Sequence, residues 1–251
     1  TYAGIATLVD NNQKPDTPYT PAGYITGTHS PLIDIKNMWN PFVPQKHVVT
    51  NSIVLGSNER HNGIITGPNA GGKSTFLKGL TISIISGQTI GFVPATDMKF
   101  TPFSKISTYM NIVDDISAGN SLFKSEVIRA KKLMDTVKEA NTHNTFSFAV
   151  LDEVFCGTSP KEGEAASYSL AHKLGSITTN ITLIATHFPL MTTLEENTHN
   201  YNNYQVRVDY KEDGSFAYRY KLEPGIADQN VAFDILKEEG FDIENFETTA
   251  D

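Results

Sequence analysis

Residues 67–75 read Gly67-Pro68-Asn69-Ala70-Gly71-Gly72-Lys73-Ser74-Thr75. A glycine, four residues and then Gly-Lys-Ser is the spacing of a phosphate-binding P-loop. A polyphosphate needs several backbone N–H groups converging at a helix N-terminus, and glycines let the chain turn tightly enough to present them. Lys73 supplies a point charge for the β- and γ-phosphates, and the Ser74 hydroxyl suits a Mg2+ shell. A β-like run, Gly63–Thr66, leads into the loop and a helical pattern leaves it, which are the flanks this chemistry requires.

A second run, Phe146–Leu151, is almost continuously apolar and ends in Asp152-Glu153. Such a run reads as a buried parallel strand, whose C-terminal edge is where open α/β sheets bind ligands. There Asp152 would hold Mg2+ and Glu153 would act as general base on an attacking water. A third strand-like run, Ile181–Ala185, ends in Thr186-His187. If it lies beside the Asp152 strand, His187 comes near the γ-phosphate, to sense it or to hold the water. Together these features point to NTP hydrolysis with ATP and Mg2+. A glutamate next to the metal aspartate favours an ATPase over a kinase, and the chain has no Asn-Lys-x-Asp stretch to read guanine.

The motifs resemble those of the MutS family of DNA repair ATPases, within the ABC ATPase superfamily. The loop GPNAGGKST resembles that family's GPNMGGKST, LDEVFCGTS (151–159) its second carboxylate motif, and ATHFPLMTTL (185–194) its ATHY…L segment. Gly27-Thr28-His29-Ser30-Pro31, Pro41-Phe42-Val43-Pro44, GFVPA (91–95), Asp114-Asp115 and Ser121-Leu122-Phe123 with Glu126 follow the family pattern in order, over about residues 22–240. The resemblance implies a head-to-tail dimer in which the helix beginning at Ser121 completes the partner's phosphate site. It also implies Phe42 stacked on adenine, and DNA held by domains absent from this chain. Cys156 stands where the family commonly has arginine.

The elements that would position these groups follow from periodicity. Phe76, Leu77, Leu80, Ile84 and Ile85 share a helical face, with Gly87 as the expected stop. Ser121 reads as the N-cap of a long helix with Phe123, Val127, Ala130, Met134 and Val137 as its apolar stripe. Lys124, Arg129, Lys131, Lys132 and Lys138 lie off that stripe, as on a solvated, partner-facing surface. Short strands are expected within Ala22–Ile35 and at Ser52–Leu55, a helix at Glu162–Leu174, an antiparallel hairpin at Tyr204–Tyr210 and Phe216–Leu222 around Asp213-Gly214, and a last helix at Val231–Glu239. The expected fold is an ABC-type P-loop NTPase, α/β, with a mostly parallel central sheet plus antiparallel strands. Residues 1–21 read as the end of a lever helix and a linker, 22–240 as the ATPase domain and 241–251 as a tail.

The chain has 251 residues, 20 Lys and Arg against 28 Asp and Glu, and a net charge of −8. That balance argues against coating nucleic acid by net charge. One cysteine excludes an internal disulfide framework and fits a reducing, cytoplasmic setting. The seven histidines show no metal-ligand spacing, so no zinc site is expected. No apolar run reaches the roughly 18 residues a bilayer span needs, and no signal peptide is visible. The start at Thr1 reads as that of a fragment or processed product. Two other readings stay open: a different ABC-type ATPase, disfavoured by the lack of a Leu-Ser-Gly-Gly signature, and a nucleotide-gated dimerisation module with little turnover.

Overall fold

The computed structural model describes residues 16–56, 60–110, 122–211, 215–227, 231 and 236. In chain order the strands and helices are Thr20–Pro21 (β1), Gly23–Tyr24 (β2), Ile33–Met38 (β3), Asn51–Leu55 (β4), Asn62–Thr66 (β5), Lys73–Ile90 (α1), Phe92–Val93 (β6), Asp97–Phe100 (β7) and Lys105–Tyr109 (β8). Leu122–Thr142 (α2), Ser147–Asp152 (β9), Pro160–Gly175 (α3), Asn180–Ala185 (β10), Leu194–Thr198 (α4), Tyr201–Tyr210 (β11) and Phe216–Pro224 (β12) follow.

The main sheet has the order β12-β11-β5-β10-β9-β8. Every neighbouring pair from β11 to β8 is parallel, and β12 is added antiparallel to β11 at one edge. The expected mostly parallel sheet with antiparallel additions is therefore present. Because side chains alternate along a strand, a parallel strand with both faces covered must be apolar at every position. On β9, Phe148 and Val150 face one core together with Leu77, Leu80 and Ile84 of α1, and Ala149 and Leu151 face a second core with Leu133 and Val137 of α2 and Leu174 of α3. A smaller sheet, β2-β7-β3-β4, closes the α1 side of the first core through Ile33, Ile35, Ile53 and Phe100.

The strand C-termini decide where chemistry can occur. Ala185 of β10 pairs with Asp152 of β9 on one side and Ile65 of β5 on the other. Thr66-Gly67, Asp152-Glu153 and Thr186-His187 therefore emerge side by side at one edge. The buried Asn62 fixes this register: its Oδ1 accepts the Thr182 N–H at 2.6 Å, and its Nδ2 donates to the Asn200 carbonyl at 3.0 Å.

Four expectations change. Gly87 does not stop α1. It lies buried inside the helix, where a Cβ would meet Phe100 and Val93 at 3.1 Å, and the helix runs three residues further to Ile90, capped by Gly91 at φ 78°. Ile85 is 45 % exposed. Val127 leaves the α2 stripe and is 43 % exposed; the buried row is Glu126, Ala130, Leu133, Met134, Val137 and Ala140. That row has the correct helical period, but it begins with a charge, which a hydrophobic pattern does not register. The third helix begins at Pro160, where its missing N–H costs nothing, and includes Gly175. The expected hairpin forms from β11 and β12. Thr1–Asp10, Asp114-Asp115, Ser121, the Asp213-Gly214 turn and most of Val231–Glu239 lie outside the described residues. None of the described helices is long and apolar enough to cross a membrane.

Asn62→Ala leaves a buried N–H and weakens the hold on a carbonyl, at about 1–3 kcal/mol for each unsatisfied group. Urea unfolding should show a loss of about 2–4 kcal/mol; a loss below about 0.5 kcal/mol would show that the register is held elsewhere.

Candidate functional site

The loop between β5 and α1 is built on three backbone devices. Gly67 has φ 146° and lies so close to β11 that a Cβ would sit 2.6 Å from the Val206 carbonyl. Gly71 N–H closes a turn on the Pro68 carbonyl at 3.1 Å, with Ala70 left-handed at φ 62°. Gly72, φ 97°, precedes the first residue of α1, and its carbonyl accepts the first helical bond from Phe76 N–H at 2.9 Å. The first-turn N–H groups of an 18-residue helix thus open toward the loop, with no acidic residue among them. Inside the loop, buried Lys73 donates to the Gly67 carbonyl at 2.7 Å and the Pro68 carbonyl at 3.1 Å.

The turn after β9 is held from two sides. Glu126 of α2, 3 % exposed, accepts the N–H of Cys156 with Oε1 and of Gly157 with Oε2, both at 3.0 Å. From α3, Ser167 donates to the Val154 carbonyl at 2.8 Å, and Gly163 packs so tightly that a Cβ would lie 2.3 Å from the Phe155 carbonyl. Within this grip Glu153 and Phe155 adopt left-handed backbone, φ 51° and 57°. For residues with a Cβ that conformation costs on the order of 1–2 kcal/mol each, so the surroundings impose it.

Loop and turn face each other across a cavity of about 530 Å3. Residues 68–75, Tyr109, Leu122, Glu126, Asp152, Glu153, Cys156 and Tyr220 line it. Among the described residues, three carboxylates and one ammonium leave its wall net negative. Burial lowers the Lys73 pKa, opposed by Glu153 and then Asp152. Desolvation and then Glu153, Glu126 and Asp152 push the Cys156 thiol up to about 11, although the residue as a whole is exposed. Among the described residues, Asp152 Oδ1 is buried without a hydrogen-bond partner. An orphaned carboxylate oxygen beside helix-end amides and an enclosed lysine is what a metal-bound polyphosphate would satisfy, the metal on the acid and the phosphates on the amides.

A second cavity, about 380 Å3, adjoins the first and shares Gly72, Thr75 and Tyr220 with it. Its other walls include Met38, Val43, Val48, Val49 and Phe76. Asn40 ties the 40–43 turn to α1, donating to the Thr75 carbonyl and accepting from Phe42 N–H, each at 3.0 Å.

Of the residues expected in the site, Pro68 to Thr75, Asp152 and Glu153 line one cavity. Gly67 contributes its carbonyl to Lys73. His187 does not line that cavity, but one of its ring nitrogens lies within 4.8 Å of a Glu153 carboxylate oxygen. Phe42 is 82 % exposed and is outside the walls of both cavities. Ser121 is outside the described residues. Glu126, grouped by motif with a segment turned toward a partner, has its carboxylate inside its own chain. Sequence reading missed Tyr109 and Tyr220. Tyr109 has no motif around it. Tyr220 belongs to an alternating strand, and only its left-handed φ of 54° and its position between the cavities single it out.

With its pKa depressed below 10.5, Lys73 binds its proton less tightly in the folded chain than in the unfolded one. In the window from the depressed value up to 10.5, the unfolded chain therefore holds more protons, and stability rises with pH. Lys73→Met lacks this slope. Denaturation at increasing alkaline pH should move the stability difference between the two toward the native chain; movement the other way would mean that the buried ammonium is favoured.

The family model of MutS domain V matches residues 63–244. The DNA mismatch repair protein MSH3 of Vanderwaltozyma polyspora is 31 % identical over 215 residues, 83 % of this chain and 20 % of that protein. The DNA mismatch repair protein MutS of Streptococcus sanguinis is 32 % identical over 189 residues, 75 % of this chain and 21 % of that protein. The MutS of Microcystis aeruginosa is 33 % identical over 212 residues, 81 % of this chain and 23 % of that protein. The chain thus spans about a fifth to a quarter of the length of these curated relatives. A family match over most of the chain, carried by the stretch that builds both walls of the cavity, places this protein in the MutS family.

Proposed function

We propose that this chain is an ABC-type P-loop ATPase domain of a MutS-like DNA repair protein, and that it binds and hydrolyses ATP with Mg2+ in the cavity between the glycine-rich loop and the β9 turn. The observation that carries this reading is the buried, unpartnered Asp152 Oδ1 facing helix-end amides and Lys73 across one cavity. The Gly71 to Thr75 amides and the Lys73 ammonium hold the β- and γ-phosphates. Ser74 and Asp152 are the residues that would hold Mg2+, which when bound neutralises phosphate charge and would offset the negative wall.

Glu153 is the general base. Its imposed backbone conformation projects the carboxylate beside Asp152, where it takes a proton from water as that water attacks the γ-phosphoryl group. His187, at the end of the adjacent strand, orients that water or senses the phosphate. The neighbouring, more apolar cavity suits the adenine, with Tyr220 at its junction able to stack on the base; Phe42 serves only if its turn closes over the nucleotide. In this reading two copies, or this chain and a related subunit, meet across the nucleotide with the Ser121 helix completing the partner's site. Closing and opening of that dimer would move a DNA clamp formed by other domains of the parent protein, inside the cell.

Glu153→Gln should bind a fluorescent ATP analogue with native affinity while single-turnover hydrolysis falls at least about 100-fold. Equal rates in the two proteins would remove the catalytic role and leave a nucleotide-binding module.

A further inference from the structure

We propose that Glu153, Cys156 and His187 form a site for a thiophilic divalent cation of the Zn2+ class, with three protein ligands and one open position. One ligand atom from each residue lies within 4.8 Å of those of the other two. Tetrahedral zinc with bonds of about 2.0–2.3 Å places its ligands roughly 3.3–3.8 Å apart. Side-chain movements of about 1 Å therefore close the set around an ion.

The backbone already prepares this approach. The left-handed turn at Glu153 brings Cys156 back over it, so that the thiol donates to the Glu153 carbonyl at 3.2 Å. His187 follows β10, whose last residue, Ala185, pairs with Asp152. Cys156 and His187 are both exposed, which gives an ion a route in. The carboxylates of Asp152 and Glu126 on the same cavity wall favour a cation. A sulfur and an imidazole select a borderline or soft metal, whereas Mg2+ requires oxygen ligands and would keep to Asp152 and Ser74. As the ion binds, the Cys156 thiol loses its proton to solvent and a metal–sulfur bond forms, with no change of oxidation state. Resting on the reading of Glu153 as general base, occupation of this site withdraws that carboxylate from water, so the ion acts as an inhibitor of the domain.

Titration of the chain with Co2+ tests the site without reference to turnover. A near-ultraviolet thiolate-to-cobalt charge-transfer band should grow to saturation at one equivalent and be bleached by Zn2+. Cys156→Ser should abolish the band, and His187→Ala and Glu153→Gln should each weaken binding at least about tenfold. Absence of a band in the native chain, or a band of unchanged affinity in His187→Ala, would overturn the site. For the inhibitory role, Zn2+ should lower the ATP turnover of the native chain at least about tenfold more than it lowers that of Cys156→Ser; equal sensitivity would overturn it. A chain with no turnover would defeat the ATPase reading, while the cobalt band would still decide the metal site.

Discussion

The ammonium of Lys73 is enclosed by its own loop and faces two carboxylates across a cavity, and the surrounding structure can be understood as what holds that arrangement in place. Burial disfavours the charge, and the carbonyls of Gly67 and Pro68 together with Glu153 and Asp152 compensate for it only in part. Asp152 keeps a buried oxygen without a partner, and Ala70, Glu153 and Phe155 take up backbone conformations that side chains resist. These costs meet at one edge of one sheet. Such clustering is expected where a fold is arranged for a ligand rather than for its own stability.

The scaffold tolerates them because both faces of the parallel sheet are covered. β9 carries Phe148 and Val150 into one core and Ala149 and Leu151 into the other, so its end can be strained while its body stays fixed. Asn62 sets the register of β5 against β10, and with it the distance between the loop and the two acids. Glu126 and α3 then orient the turn that carries Glu153. The placement of Glu153 thus depends on Glu126 of α2 and on Ser167 and Gly163 of α3.

Much of this was legible in the sequence. The glycine-rich loop, the two buried strands and their trailing polar residues are local patterns, and hydrophobic periodicity and turn chemistry report local patterns well. The family resemblance, read from collinear motifs, agrees with the match of MutS domain V. What escaped depends on contacts distant in sequence. Glu126, which the motif groups with a partner-facing segment, is buried because it accepts the N–H groups of Cys156 and Gly157, some thirty residues away. Gly87 looked like a helix stop because a glycine admitting Phe100 and Val93 reads the same as a glycine ending a helix. Tyr220 is brought to the cavities by the pairing of β12 with β11 and by Asn51, whose Nδ2 donates to the Tyr220 carbonyl at 3.0 Å. The Glu153, Cys156 and His187 cluster joins two strand ends, and no spacing rule for zinc ligands spans that gap.

The central claim is that a triphosphate rests on the Gly71 to Thr75 amides with its metal between Ser74 and Asp152. A crystal structure of Glu153→Gln grown with ATP and Mg2+ tests it most directly. The account predicts β- and γ-phosphates on those amides, Mg2+ bridging them to Ser74 and Asp152, and the side chain at position 153 facing the γ-phosphate. Nucleotide bound elsewhere, or a metal with no contact to Asp152 directly or through water, would contradict it.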